Sequence, residues 1–176
     1  GFQASIYLGG AWRAASMLAS QGIATIQFNG VGHAGGPLGT VTVQRSDGPD
    51  VVFDAGGRGF DQDGNGVIAG DEGSRGITPL LASIELRDAN RQWAIDSFQL
   101  VRQIQLGIDF DGDGVPDLDA SKIHVLGQSL GSFVAPIVLA VEPAVRTGVL
   151  NVGGDSPIVG SRFGLNRPFV AMFELA

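Results

Sequence analysis

Apolar residues at Trp12, Ala15, Leu18 and Ala19 recur three to four positions apart, so the pattern predicts a helix over about 10–21, stopped by Gly22. The β-branched and apolar run Ile23-Ala24-Thr25-Ile26-Gln27-Phe28 then reads as a strand buried in a parallel sheet. A glycine-rich loop covers Asn29 to Gly39. Thr40-Val41-Thr42-Val43-Gln44-Arg45 alternates with period two, and Asp47-Gly48 separates it from Val51-Val52-Phe53, which predicts an inserted hairpin. Trp93, Ala94, Phe98, Val101 and Ile104 are spaced to cover one stripe from about Arg87 to Leu106, with Arg87, Asp88, Arg91, Asp96 and Arg102 elsewhere, as in an amphipathic helix. Lys122–Leu126 reads as a strand, Ser129 to about Val141 as a helix, and Gly148–Val152 as another strand. Alternating strands and helices predict an α/β fold with a doubly wound, mostly parallel sheet, in a single partial domain over 1–176 with an insertion at about 40–75.

Composition narrows the class. With 44% apolar and 16% charged residues, the 176-residue chain carries enough material for a buried core. Its formal net charge of −7 argues against nucleic acid, whose phosphates require clustered Lys and Arg. No apolar run approaches the roughly 18 residues of a membrane span. The absence of cysteine removes disulfides, thiolate metal sites and a cysteine nucleophile. Much of the acidic excess lies in two clusters, at 61–72 and 109–119, which points toward cations.

Gly127-Gln128-Ser129-Leu130-Gly131 follows a predicted buried strand and opens a predicted apolar helix. That context suits a nucleophile elbow, where a sharp turn projects the serine hydroxyl and the flanking glycines avoid collisions. The bland alternative is an ordinary strand-to-helix turn in a glycine-rich chain.

Asp61-Gln62-Asp63-Gly64-Asn65-Gly66-Val67-Ile68-Ala69-Gly70-Asp71-Glu72 matches the twelve-residue EF-hand calcium loop. Asp61, Asp63 and Asn65 stand at positions one, three and five, Gly66 at the turn, the Val67 carbonyl at seven and Glu72 at twelve. Gly56-Gly57-Arg58-Gly59 precedes it, so the loop lacks a leading helix and does not read as a calcium sensor. Asp109, Asp111 and Asp113, with Gly114 and the Val115 carbonyl, repeat the first half of the pattern. Position twelve there is Ala120, which leaves Asp117 or Asp119 as the closing carboxylate. Hard oxygen donors select Ca²⁺ over transition metals, and one or two structural ions are expected. The alternative for both loops is an Asp/Gly-rich surface turn. Loops of this kind fill at extracellular calcium levels of roughly 10⁻⁴–10⁻³ M, which points to a secreted or cell-surface protein.

The elbow after an Asp-Gly-Asp-Gly loop, the predicted helix and strand over 11–28, the Gly32-His33-Ala34-Gly35 loop and the helix with Arg87-Asp88 and Arg91-Gln92 resemble the α/β-hydrolase superfamily. The resemblance is particularly to bacterial secreted lipases and esterases, and it covers most of the chain. The resemblance implies acyl transfer from a small-molecule or lipid ester, with Ser129 as nucleophile and the amides of Leu130 and Phe2 as oxyanion donors. Gly1 then takes the place of the glycine in the family's His-Gly pair. Asp155 is a candidate triad acid, although Gly154-Asp155-Ser156-Pro157 also reads as a turn.

In the family the general base follows the serine, yet no histidine follows Ser129 here. His33 and His124 both read as structural. The chain is therefore expected to be a fragment, inactive alone, with a catalytically dead relative as the other explanation. A serine peptidase on the same fold and a non-catalytic calcium-binding module on a hydrolase scaffold are the rival functions.

Overall fold

A computed structural model describes residues 10–34, 36–54, 56–68, 72 and 79–153. Its elements in chain order are helix α1 (Gly10–Ala19), a short 3₁₀ turn (Gly36–Leu38), strands β1 (Thr40–Val43) and β2 (Val51–Asp54), helix α2 (Pro79–Leu106), strand β3 (Ile123–Gln128), helix α3 (Gly131–Val141) and strand β4 (Val145–Asn151).

Two two-stranded sheets form among the described residues. β1 and β2 pair antiparallel, with Val41 opposite Phe53, which is the hairpin that the period-two alternation predicts. β3 and β4 pair parallel from His124 opposite Thr147 to Gln128 opposite Asn151, with one irregular step between Ile123 and His124. Parallel neighbours require a crossover, and α3 supplies it, giving a β-α-β unit.

One face of this unit is packed. Alternation along β3 turns Ile123, Val125 and Gly127 inward and leaves His124, Leu126 and Gln128 exposed. The core joins Ala89, Trp93, Ala94 and Val101 of α2 to Val134 and Val138 of α3 and Val145 of β4. The spacing of the α2 residues places them on a single stripe, as the sequence pattern requires. Gly148 is needed at the same contact, because a Cβ there would lie 2.5 Å from Leu139 Cδ1. On the opposite face Leu126 and Val149 stay about half exposed or more, at 49% and 62%.

The structure changes several element boundaries. α2 begins at Pro79, not Arg87, and spans 28 residues. Proline is well placed at a helix start, since its missing N–H has no partner to lose there. β4 begins at Val145, three residues before the predicted start. The strand expected over Ile23–Phe28 does not appear: the run has no ladder partner among the described residues, and Ile23, Ile26 and Phe28 are exposed. A strand is stabilised by its neighbours, so an apolar β-branched run forms one only where a partner lies alongside it. Among the described residues, no helix is long and apolar enough to cross a membrane.

Candidate functional site

Ser129 sits between the end of β3 and the first turn of α3, with its side chain exposed and its backbone at φ +51°. A non-glycine residue pays roughly 1–2 kcal/mol for left-handed backbone. Hydrogen bonds hold it there. Ser129 N donates to the Asn151 carbonyl at 3.0 Å, and Ser132 N donates to the Ser129 carbonyl at 2.8 Å.

Only one of the two flanking glycines is required by the described surroundings. A Cβ on Gly127 would stand 2.5 Å from the Gly131 carbonyl oxygen and 2.9 Å from the Ala135 methyl, whereas a Cβ on Gly131 meets nothing within 4 Å. The turn thus folds the end of β3 directly beneath the start of α3. Leu130 caps that helix in right-handed backbone, φ −53°, and its side chain packs on the core. An amide at a helix N-terminus faces developing negative charge favourably. Phe2 and Asp155, along with Gly1, lie outside the described residues.

Neither histidine is bonded to the serine. His124 lies on the open face of the sheet, its Nδ1 2.7 Å from Thr147 Oγ1. His33 is buried where two loops meet α2: its Nδ1 lies 3.2 Å from the Val31 carbonyl, and its ring meets Trp93 edge-on at 5.1 Å. Burial pushes its pKa below the usual histidine value, partly offset by the Val31 hydrogen bond. The loops are tied by Gly32 N to the Arg58 carbonyl at 2.9 Å and Arg58 N to the His33 carbonyl at 2.7 Å. Arg58 also pairs with Asp96 on α2. His33 is thus engaged by the Val31 carbonyl and the Trp93 ring.

The acidic loops share one construction. In the first, Asp61 Oδ1 accepts from Gly64 N and Asn65 N, and its Oδ2 accepts from Gly66 N at 2.7 Å. In the second, Asp109 Oδ1 accepts from Gly112 N at 2.7 Å and its Oδ2 from Gly114 N at 2.8 Å. Asn65 and Asp113 each accept from the amide two residues on, at Val67 and Val115. The glycines take matching left-handed backbone, +75° and +85° at Gly64 and Gly66 against +79° and +86° at Gly112 and Gly114. The amide bonds from Gly66 and from Gly114 are the leading reason that Asp61 and Asp109 have lowered pKa values.

One oxygen from each of Asp61, Asp63 and Glu72 lies within 4.8 Å of the others, and the same holds for Asp109, Asp111 and Asp117. Glu72 is 2% exposed and accepts from Gln62 N at 2.8 Å and Asp63 N at 3.1 Å. Converging carboxylates repel one another, and an all-oxygen donor set of this type suits a hard divalent cation. The second loop closes differently from the first. Asp117, at the ninth position, turns in and accepts from Phe110 N at 2.6 Å. Asp119 turns away to Ser121 and Lys122, and those hydrogen bonds hold its carboxyl far below the usual range. Asp113 lies outside the converging trio, its carboxylate bonded to the Val115 amide.

Ser132 was not singled out by the sequence, although a polar residue inside the apolar stretch Gly131–Val141 is a signal. It is 6% exposed, and its hydroxyl reaches two carbonyls at the elbow. Comparison of the chain with protein-family models, with curated proteins and with solved structures gives no match, so the assignment of function rests on this geometry.

Proposed function

We propose that the chain is the nucleophile-bearing part of an α/β-hydrolase domain that cleaves carboxylic esters, lipid esters among them. The observation that carries the proposal is the left-handed backbone of exposed Ser129 at the junction of a parallel strand and the helix packed upon it. An attacking hydroxyl must project clear of the sheet, and left-handed backbone at a strand-to-helix turn supports that role.

In this reading Ser129 Oγ attacks the ester carbonyl, the alcohol leaves, and water releases the acid from the acyl-serine. The Leu130 amide, joined by that of Phe2, faces the oxyanion, and Asp155 is the candidate acid. The general base is a histidine other than His33 and His124, whose rings are engaged elsewhere. Asp61, Asp63 and Glu72, with Asn65 and the Val67 carbonyl, hold one Ca²⁺. Asp109, Asp111 and Asp117, with the Val115 carbonyl, hold another. Both ions are structural, and their use fits a secreted or cell-surface protein.

A fluorophosphonate that labels Ser129 in the full-length protein, with labelling lost in Ser129→Ala, is the expected result. A second reading, a calcium-binding module without catalysis, is favoured by the two preformed acidic loops. Calcium binding with no labelling of Ser129 in the full-length protein decides for that reading.

A further inference from the structure

The Ser132 hydroxyl is placed where three parts of the elbow meet. Its Oγ lies 3.0 Å from the carbonyl oxygen of Gly127, in β3, and 2.9 Å from that of Asn151, at the end of β4. The same Asn151 carbonyl accepts the amide of Ser129, while the Ser129 carbonyl accepts the amide of Ser132. A serine in a helix ordinarily bonds back to a carbonyl three or four residues earlier in its own helix. Ser132 instead reaches out of its helix, to the strand before the nucleophile and to the neighbouring strand. The packing is close on the far side as well, since a Cβ on Gly153 would lie 2.9 Å from Ser132 Cβ.

We propose that Ser132 is a positioning residue for Ser129: its hydroxyl proton, shared between the Gly127 and Asn151 carbonyls, fixes the strained turn against the end of β4. This rests on the acyl-transfer reading above. Ser132 touches no reacting atom. Its effect is to keep the nucleophile in left-handed backbone, aimed at the substrate, so its loss acts on attack more than on binding.

The test is the rate of fluorophosphonate labelling at Ser129 in the full-length protein, together with kcat and KM on a soluble ester. Ser132→Ala is expected to lower the labelling rate and kcat about five- to tenfold, with KM nearly unchanged. Ser132→Thr and Ser132→Val share a shape and differ by the hydroxyl, so they keep the question open to decision even if the alanine variant does not fold. Thr is expected to label faster than Val at matched folded fraction. Equal rates for Thr and Val, or a wild-type rate in Ser132→Ala, overturn the positioning role alone. Absence of labelling in the wild-type protein overturns the acyl-transfer reading and this role with it.

Discussion

The indole Nε1 of Trp93, in the middle of α2, donates to the carbonyl of Val31 at 3.1 Å and so pins the glycine-rich loop to the helix that supports the β-α-β unit. Gly30 makes that contact possible, because a Cβ there would lie 2.5 Å from the same nitrogen. Trp93→Phe keeps most of the buried ring but removes one of the two groups bonded to that carbonyl, leaving His33 Nδ1, and is expected to cost about 1 kcal/mol. Trp93→Ala removes the ring as well and is expected to cost about 3–5 kcal/mol. Urea unfolding of both variants, with unchanged slope, checks the order; wild-type stability in Trp93→Phe would show that the hydrogen bond contributes nothing.

The two elbow glycines should respond in opposite ways. Gly127→Ala drives a methyl into the Gly131 carbonyl and the Ala135 side chain, so the turn must open and Ser129 labelling should fall at least tenfold. Gly131→Ala meets open space at the first position of α3 and gains helix propensity, about 0.5–1 kcal/mol in the favourable direction. Thermal melting and labelling of the two variants side by side would separate them, and a harmful Gly131→Ala would contradict this reading of the turn.

Glu142, 4% exposed at the C-terminus of α3, accepts from Ala144 N at 3.1 Å and pairs with Arg102 Nη2 of α2 at 3.5 Å. Arg102 is 57% solvent-exposed, which limits what the pair contributes. Arg102→Ala leaves a buried carboxylate without its cation and is expected to cost about 1–3 kcal/mol. Glu142→Gln removes the charge, keeps an acceptor for Ala144, and should cost less. Denaturant midpoints of the two single variants and of the double variant give the coupling. A greater loss in Glu142→Gln than in Arg102→Ala contradicts the account.

The elements that were legible in the sequence are those stabilised by contacts close along the chain. The Trp93–Val101 stripe, the hairpin around Asp47-Gly48 and the elbow at Ser129 each carry their pattern within a few residues. The apolar run Ile23–Phe28 has the pattern of a buried strand, but pairing depends on a neighbour outside the run, and none lies beside it among the described residues. Likewise, the choice of Asp117 over Asp119 depends on the bond from Asp117 N to the Ile108 carbonyl, which brings the Asp117 carboxylate to Phe110 N, and spacing alone leaves both available. Ser132 escaped notice because its partners, Gly127 and Asn151, are brought together only by β-strand pairing.

Calcium and pH should act on the same carboxylates. Asp61 and Asp109 have folded pKa values below their ordinary value because backbone amides, led by those of Gly66 and Gly114, bond the charged form. A depressed folded value means that the stabilisation is fully present above the unfolded carboxylate value of about 3.9, and is lost as pH falls through the folded value. In the proposed reading calcium takes the same charged oxygens, so it should add stability at neutral pH, roughly 2.7 kcal/mol at a hundred times its Kd, and its effect should fade in acid as the carboxylates protonate. Melting curves with calcium and with EGTA should therefore be separated at pH 7 and converge only as pH falls past the ordinary carboxylate value of about 3.9 and through the lowered folded values. Asp61→Asn with Glu72→Gln should remove the shift that belongs to the first loop, and Asp109→Asn with Asp117→Asn that of the second. A calcium-dependent shift that survives all four substitutions would place the ion elsewhere.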